Sequence, residues 1–156
     1  MTFFPLSKIF FKIKRESRGT LKKGEENMQK GDSKDRQTKK PYQSDNIFAR
    51  LLKGEIPCQK VYEDDFALAF YDIAPKAPIH VLVVPKGFYV DFADFIRHAS
   101  DLEIAGFFKA AEKTLSILNV EGEGFRLVSN TGVNSGQEVS HFHVHILAGT
   151  SLGSLG

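Results

Sequence analysis

The sequence has a single cysteine, Cys58, among its 156 residues. One cysteine cannot form an internal disulfide framework and suits a reducing compartment, so we expect a cytoplasmic protein. No apolar run approaches the roughly 20 residues of a membrane-spanning helix, and we therefore expect no membrane partner. The first eleven residues also lack the basic region and the unbroken apolar core of a secretory signal.

Charge is nearly balanced over the whole chain, at +2, but it is unevenly distributed. Residues 1–40 carry a net charge of +7, and the remainder carries −5. We therefore predict a basic, disordered extension over residues 1–44, a globular domain over 45–149 and a flexible tail over 150–156. The extension contains no recognised nucleic-acid-binding pattern, so a nucleic-acid partner is not expected.

The hydrophobic pattern predicts an α+β domain, because short strands occur with grouped rather than alternating helices. The predicted helices span residues 46–53, 91–97 and 101–119, and the predicted strands span 60–63, 66–71, 79–84, 125–129 and 139–147. Asp45 can cap the first helix, and Ser100 with Glu103 can form a capping box on the longest one. The apolar face of the longest helix is predicted at Ile104, Phe108, Ala111, Leu115 and Leu118.

Three of the five histidines, His141, His143 and His145, alternate with apolar residues in the last predicted strand. Alternate side chains point to opposite faces, so the three imidazoles would line one face at about 6.5–7 Å per step. A metal could use two of them together with His80, since the outer pair would lie about 13 Å apart. Alternatively, one neutral imidazole attacks an electrophile while its neighbours supply hydrogen bonds and positive charge.

A glycine-rich loop over residues 130–137 leads directly into this histidine segment. Its glycines permit tight turns, and its backbone N–H groups and side-chain amides can hold an anion. The combination indicates phosphate and favours nucleophilic catalysis over a metal site. We therefore predict neither a metal nor a cofactor.

The run His-Phe-His-Val-His-Ile-Leu over residues 141–147 resembles the signature of the histidine-triad (HIT) superfamily, in the branch of histidine-triad nucleotide-binding proteins. The segments at 45–48, 53–57, 70–75, 77–80 and 130–137 resemble that branch too. The resemblance covers roughly residues 45–149. It implies a HIT-like fold, with a five-stranded antiparallel sheet and one long and one or two short helices, assembled as a homodimer.

The resemblance also implies a hydrolase or nucleotidyl transferase that binds AMP-type purine nucleotides and acts at the α-phosphorus. His143 would form a covalent nucleotidyl-histidine, with His141, His145 and His80 as its catalytic neighbours. Phosphate would be held by Asn130, Gly136 and Gln137. The ribose and base would contact Asp72, Ile47, Phe48, Leu51, Ile56, Phe70 and Ile73. A dinucleoside polyphosphate hydrolase and a non-catalytic AMP-binding regulatory dimer are the alternatives.

Three departures from the family pattern bear on specificity. Glu138 stands where many relatives place serine or threonine. A carboxylate there can accept a hydrogen bond from a leaving amine but repels a polyphosphate, which favours nucleoside phosphoramidates as substrates. No Cys-x-x-Cys precedes the first helix, so we predict no structural zinc, and the ending after Gly149 lacks aromatic and proline residues.

Overall fold

The computed structural model describes residues 41–154 of the chain, so residues 1–40 of the extension predicted over residues 1–44 lie outside the described part. The helices are α1 (Ile47–Leu52), α2 (Phe92–His98) and α3 (Asp101–Leu118), and a 3₁₀ turn spans Val133–Ser135. The strands are β1 (Lys60–Glu63), β2 (Ala67–Tyr71), β3 (Ile79–Pro85), β4 (Phe125–Val128) and β5 (Val144–Ala148). Within the described range, no helix is both long and apolar enough to cross a membrane.

The five strands form one antiparallel sheet in the order β1-β2-β3-β5-β4, which confirms the predicted fold class. α3 packs on one face of this sheet, and Val81 and Val83 of β3 point toward it. The residues between and beside them along β3 point to the opposite face. On that opposite face, Leu82 and Val84 pack with Phe48 of α1 in a second, smaller core. The two faces therefore have separate cores, and the smaller one is the face that carries the histidines.

Helix capping follows the sequence closely, with one difference. Ser100 and Glu103 form the predicted capping box at the start of α3. The cap of α1 is Asn46 rather than Asp45, because the Asn46 side chain accepts hydrogen bonds from the backbone N–H groups of Phe48 and Ala49 at 3.0 Å. The cap fixes where α1 begins and thereby places Phe48 against the histidine face.

The buried face of α3 is rotated relative to the prediction. Phe107 is completely buried, whereas Phe108, which we predicted on the apolar face, is 44% exposed. Phe107 enters the core because it packs against the rings of Phe95 and Phe142. Phe107 and Phe108 are adjacent and are both phenylalanine, so the spacing of apolar residues alone could not predict which of them is buried.

β5 is shorter than predicted, since it begins at Val144 instead of residue 139. β3 ends at Pro85, which has no backbone N–H to continue the ladder. Beyond that point Phe142 donates its backbone N–H to the carbonyl of Tyr89 at 2.7 Å. His141 and His143 therefore lie in an irregular segment, although Phe142 and Val144 still enter the core as the alternation predicted.

The described part of the predicted tail is attached to β4. The guanidinium group of Arg126 donates hydrogen bonds to the carbonyls of Leu152 and Gly153. These contacts hold the chain beside the sheet as far as Gly153.

Candidate active site

A cavity of about 360 Å³ opens on the histidine face of the sheet. His145 projects into it from β5, His80 lines it from β3, and His143 lines it from the segment just before β5. Seven of the predicted catalytic and binding residues line this cavity: Phe48, Asp72, His80, Asn130, Gly136, His143 and His145. The structure thus brings together residues that lie far apart in the sequence.

A second cavity of about 480 Å³ has mostly apolar walls. Its lining includes all six predicted base contacts: Ile47, Phe48, Leu51, Ile56, Phe70 and Ile73. Phe48, Asp72 and Glu138 line both cavities, so the two adjoin along these side chains. The result is an apolar compartment next to a histidine-lined one, with carboxylates at the boundary.

The ring of His143 is held by a hydrogen bond and an aromatic contact, and its backbone by a second hydrogen bond. Its Nδ1 lies 2.7 Å from the backbone carbonyl of His141, and because a carbonyl can only accept, Nδ1 carries the proton. The carbonyl of His143 itself accepts from the Ser129 hydroxyl at 3.1 Å, and the ring of Phe48 lies 5.1 Å away, edge-on. In the neutral ring, Nε2 is therefore the atom with a free lone pair.

A second chain of hydrogen bonds sets the tautomer of His145. The backbone N–H of Lys76 donates to His80 Nδ1 at 3.1 Å, so the proton of neutral His80 is on Nε2. His80 Nε2 lies 2.9 Å from His145 Nδ1 and can only donate to it. The proton of His145 is then on Nε2, which leaves an N–H donor for the cavity that His145 lines.

Burial keeps the imidazoles neutral. It lowers the pKa of His143, while the His141 carbonyl and the nearby carboxylates of Asp72 and Glu138 oppose that shift. Burial, together with the neighbouring His143 and His80, lowers the pKa of His145 to about 4. Burial also lowers the pKa of His80, against the charge of Asp72. At neutral pH these rings are uncharged, so each can use one nitrogen as a lone-pair donor or acceptor and the other as an N–H donor.

Two predicted residues lie behind the cavity wall instead of on it. His141 is completely buried, and its ring nitrogens face the carbonyl of Pro85 at 3.1 Å and the hydroxyl of Tyr42 at 2.5 Å. The side-chain amide of Gln137 accepts from the N–H of Gly132 and donates to the carbonyl of Val90. Neither side chain is free to bind phosphate, because both ring nitrogens of His141 and the side-chain amide of Gln137 already have hydrogen-bond partners within the protein.

One group of side chains could hold a metal ion among the described residues. The ligand atoms of Asp72, His80 and His145 lie within 4.8 Å of one another. A metal there would have to break the bond between His80 and His145, and Asp72 Oδ1 already accepts from the backbone N–H of Ala74 at 2.8 Å. The donor set fits a divalent cation only after this rearrangement.

The buried histidines predict how stability depends on pH. Burial lowers the pKa of His141 to about 4, against about 6.5 in the unfolded chain. The unfolded chain therefore binds more protons between these values, and the free energy of unfolding falls as the pH falls through this window. The loss from His141 is on the order of 3 kcal/mol once the window is crossed. Urea unfolding at neutral and acidic pH measures it, and an unfolding free energy that is constant or rises on acidification would contradict this prediction.

Sequence reasoning missed three residues that orient the site. Lys76 contacts His80 through its backbone N–H, so no side-chain motif could identify it. Ser129 contacts the carbonyl of His143 through its hydroxyl, and only its position at the end of β4 could have indicated this role. Tyr42 falls in the predicted extension, yet it is hydrogen-bonded to His141, 99 positions further along the chain. A partner so distant leaves no local pattern.

Comparisons with known proteins identify the family of this chain. The HIT domain family model matches residues 53–152. An uncharacterized HIT-like protein of Azospirillum brasilense is 49% identical over 116 residues, which cover 74% of this chain and 95% of the relative. A protein of Escherichia coli K12 named purine nucleoside phosphoramidase is 33% identical over 111 residues, covering 71% and 92%.

Solved structures show the same fold. A histidine triad protein from Clostridium difficile superposes with a TM-score of 0.65 at 41% identity, covering 73% of this chain and 98% of that one. A HIT family hydrolase from Clostridium thermocellum gives a TM-score of 0.64 at 33% identity, covering 72% and 96%. With the sheet order, the histidine segment and a family match over more than half of its length in agreement, the chain belongs to the HIT domain family.

Proposed function

We propose that the protein is a purine-nucleotide hydrolase that acts at the α-phosphorus through a covalent nucleotidyl-histidine. The observation that carries this proposal is the orientation of His143. Its Nδ1–H is held by the carbonyl of His141, and its Nε2 is left with a lone pair in a ring that lines the cavity. A neutral, fixed imidazole with one free nitrogen is a nucleophile.

The two adjoining cavities fit the parts of a nucleotide. The apolar walls of the larger cavity suit a purine base, and Asp72 at the boundary can accept hydrogen bonds from the ribose hydroxyls. The α-phosphate would then lie in the smaller cavity with His143 and His145. Asn130 and Gly136 line the same cavity and would bind phosphate oxygens.

The proposed reaction proceeds by two displacements at phosphorus. His143 Nε2 uses its lone pair to form a bond to the α-phosphorus, and the bond from phosphorus to the leaving group breaks. For a phosphoramidate, the electron pair leaves with the amine nitrogen, which takes a proton from solvent. Water then attacks the phosphorus, the bond from phosphorus to His143 breaks, and the nucleoside monophosphate and a proton are released.

The remaining histidines supply hydrogen bonds rather than a second nucleophile. The Nε2–H of His145 would donate to a phosphoryl oxygen as charge develops on it, and His80 holds His145 in the required tautomer. The carbonyl of His141 stabilises the positive charge that His143 acquires when Nε2 is bonded to phosphorus. The nucleophile and the hydrogen-bonding groups in this scheme belong to the chain, and the proton and the water come from solvent, so the scheme calls for no metal.

The leaving group is an amine in this proposal. Glu138 is exposed and lines both cavities, and its charge acts on the His143 ring. A carboxylate there can accept from the leaving nitrogen but repels the anionic chain of a polyphosphate. The name of the E. coli relative, purine nucleoside phosphoramidase, supports the same substrate class.

We also propose a homodimer and a cytoplasmic location. β4 lies at the edge of the sheet with β5 as its neighbour, and its side chains Phe125 and Leu127 are 39% and 44% exposed. A second copy could extend the sheet across this edge. The single cysteine supports a reducing compartment.

The test compares two substrates with one enzyme preparation. We expect the full chain to hydrolyse an adenosine 5′-phosphoramidate with an alkylamine leaving group faster than a diadenosine polyphosphate, with excess chelator in every assay. Glu138→Gln should shift the ratio of kcat/KM values toward the polyphosphate by about tenfold, because it removes the repulsion between like charges.

Glu121→Gln is the matched control, since it removes an exposed carboxylate from a residue outside both cavities. Its ratio should equal that of the wild type. If the wild type hydrolyses neither substrate, the proposed activity is wrong. If Glu138→Gln leaves the ratio unchanged, the activity stands but the role of Glu138 does not.

A further inference from the structure

We infer that Tyr42 is a positioning residue, whose hydroxyl holds His141 and thereby fixes the carbonyl that orients the nucleophile. The inference rests on the proposed function, because the nucleophile it concerns is His143. Tyr42 lies before the residues matched by the family model, which begin at Lys53, and it lines neither cavity. It can therefore act on the reaction only indirectly, and of the residues that its hydroxyl contacts, His141 is the one that presents a carbonyl to His143.

The hydrogen bonds of His141 determine the direction of the contact. His141 Nε2 lies 3.1 Å from the carbonyl of Pro85, which can only accept, so Nε2 carries the proton of the neutral ring. Nδ1 is then an acceptor, and Tyr42 Oη, 2.5 Å away, donates to it. Burial raises the pKa of Tyr42, which keeps this donor protonated.

The tyrosine ring is itself held in place. Its centroid lies 5.0 Å from the ring of Phe88 and 5.6 Å from the ring of His141. His141 is completely buried, and no buried side-chain nitrogen or oxygen among the described residues lacks a hydrogen-bond partner. Tyr42 and Pro85 together hold the His141 ring in one tautomer and one orientation.

This arrangement is linked to the chemistry through one residue. The same His141 whose ring is held by Tyr42 and Pro85 presents its carbonyl to His143 Nδ1 at 2.7 Å. Removing the Tyr42 hydroxyl leaves a buried acceptor unpaired, and the His141 ring must then move or take up water. Its carbonyl would move with it, and the Nε2 atom of His143 would lose its fixed direction toward phosphorus.

The test replaces Tyr42 by phenylalanine in the full chain. We expect the rate of nucleotidyl-histidine formation to fall about tenfold, as for an unpaired buried acceptor, while AMP affinity stays at the wild-type value. Nitrogen NMR of the His141 ring, recorded without substrate, should show the Nδ1 resonance move toward that of an unbonded acceptor. If Tyr42 only stabilised the fold, the variant would have a lower melting temperature, but the rate of adduct formation would not fall while the affinity for AMP stayed constant.

Tyr62→Phe is the matched control, because Tyr62 also has a half-buried ring and donates to Asp64 at 3.2 Å, away from both cavities. Its rate and its His141 signals should match the wild type. In the wild-type chain, the Tyr42 hydroxyl proton should show a coupling to His141 Nδ1, which tests the contact even if the Tyr42 variant does not fold. An unchanged rate, or absence of that coupling, overturns the inference. A wild type that forms no adduct overturns the proposed function instead.

Discussion

Replacing His143 by asparagine or alanine should lower kcat by about 10⁴-fold or more, because no other described group presents a free imidazole nitrogen to the α-phosphorus in the same way. AMP affinity should be largely retained, since the apolar cavity and Asp72 would bind the nucleoside. Steady-state hydrolysis of an adenosine phosphoramidate measures kcat, and calorimetric titration with AMP measures the affinity.

His98→Asn is the matched control for this experiment. His98 lies at the end of α2, hydrogen-bonded to Asp94 at 2.7 Å, and lines neither cavity. The same change of side chain there should leave kcat unaffected. A His143 variant that turns over at the wild-type rate would show that the nucleophile has been misassigned.

Asp72→Asn should weaken AMP binding by about 100-fold, because two hydrogen bonds from ribose hydroxyls would lose their charged acceptor. Asparagine keeps an oxygen for the bond that Asp72 Oδ1 accepts from the N–H of Ala74, so the turn should persist. The loss should be smaller for a 2′,3′-dideoxy nucleotide, which lacks the hydroxyls. Titration of both ligands with both proteins separates ribose recognition from a general effect of charge.

The control for the second experiment is Asp65→Asn, which removes an equal charge from an exposed turn residue outside the cavities. Its affinity for AMP should be that of the wild type. Equal losses for the ribose and dideoxy nucleotides in Asp72→Asn would contradict a role in binding the hydroxyls. In that case Asp72 would act mainly through His80, whose Nε2 lies 3.4 Å from Asp72 Oδ2.

Features set by short-range physics could be predicted from the sequence. The capping box of Ser100 and Glu103 needs residues only three positions apart, and β3 is marked by its β-branched run. The alternation around His145 correctly placed Val144 and Ile146 in the core. The family resemblance supplied the set of candidate site residues, which local patterns cannot give, whereas the order of the strands was not predicted.

The errors occurred where distant contacts decide between locally equivalent choices. Asp45 and Asn46 are both good caps, and Phe107 and Phe108 are both aromatic, so only tertiary packing selects Asn46 and Phe107. The length of β5 depends on Pro85, which lies on another strand.

The positions of His141 and Gln137 behind the cavity wall depend on distant partners in the same way. Pro85 is 56 residues from His141 in the sequence, and Val90 is 47 from Gln137. No local pattern reports such partners, and the family motif marks these residues without saying what their side chains contact.

The most direct test of the account is mass spectrometry of the peptide that contains His143, after a rapid alkaline quench of the reaction with an adenosine phosphoramidate. Alkaline conditions are chosen because a bond between phosphorus and imidazole nitrogen is labile in acid. We predict an adenylyl group on His143 that appears before free AMP and disappears as substrate is exhausted. Product formation with no adduct on this histidine at any time, or with the adduct on another residue, would contradict the proposal.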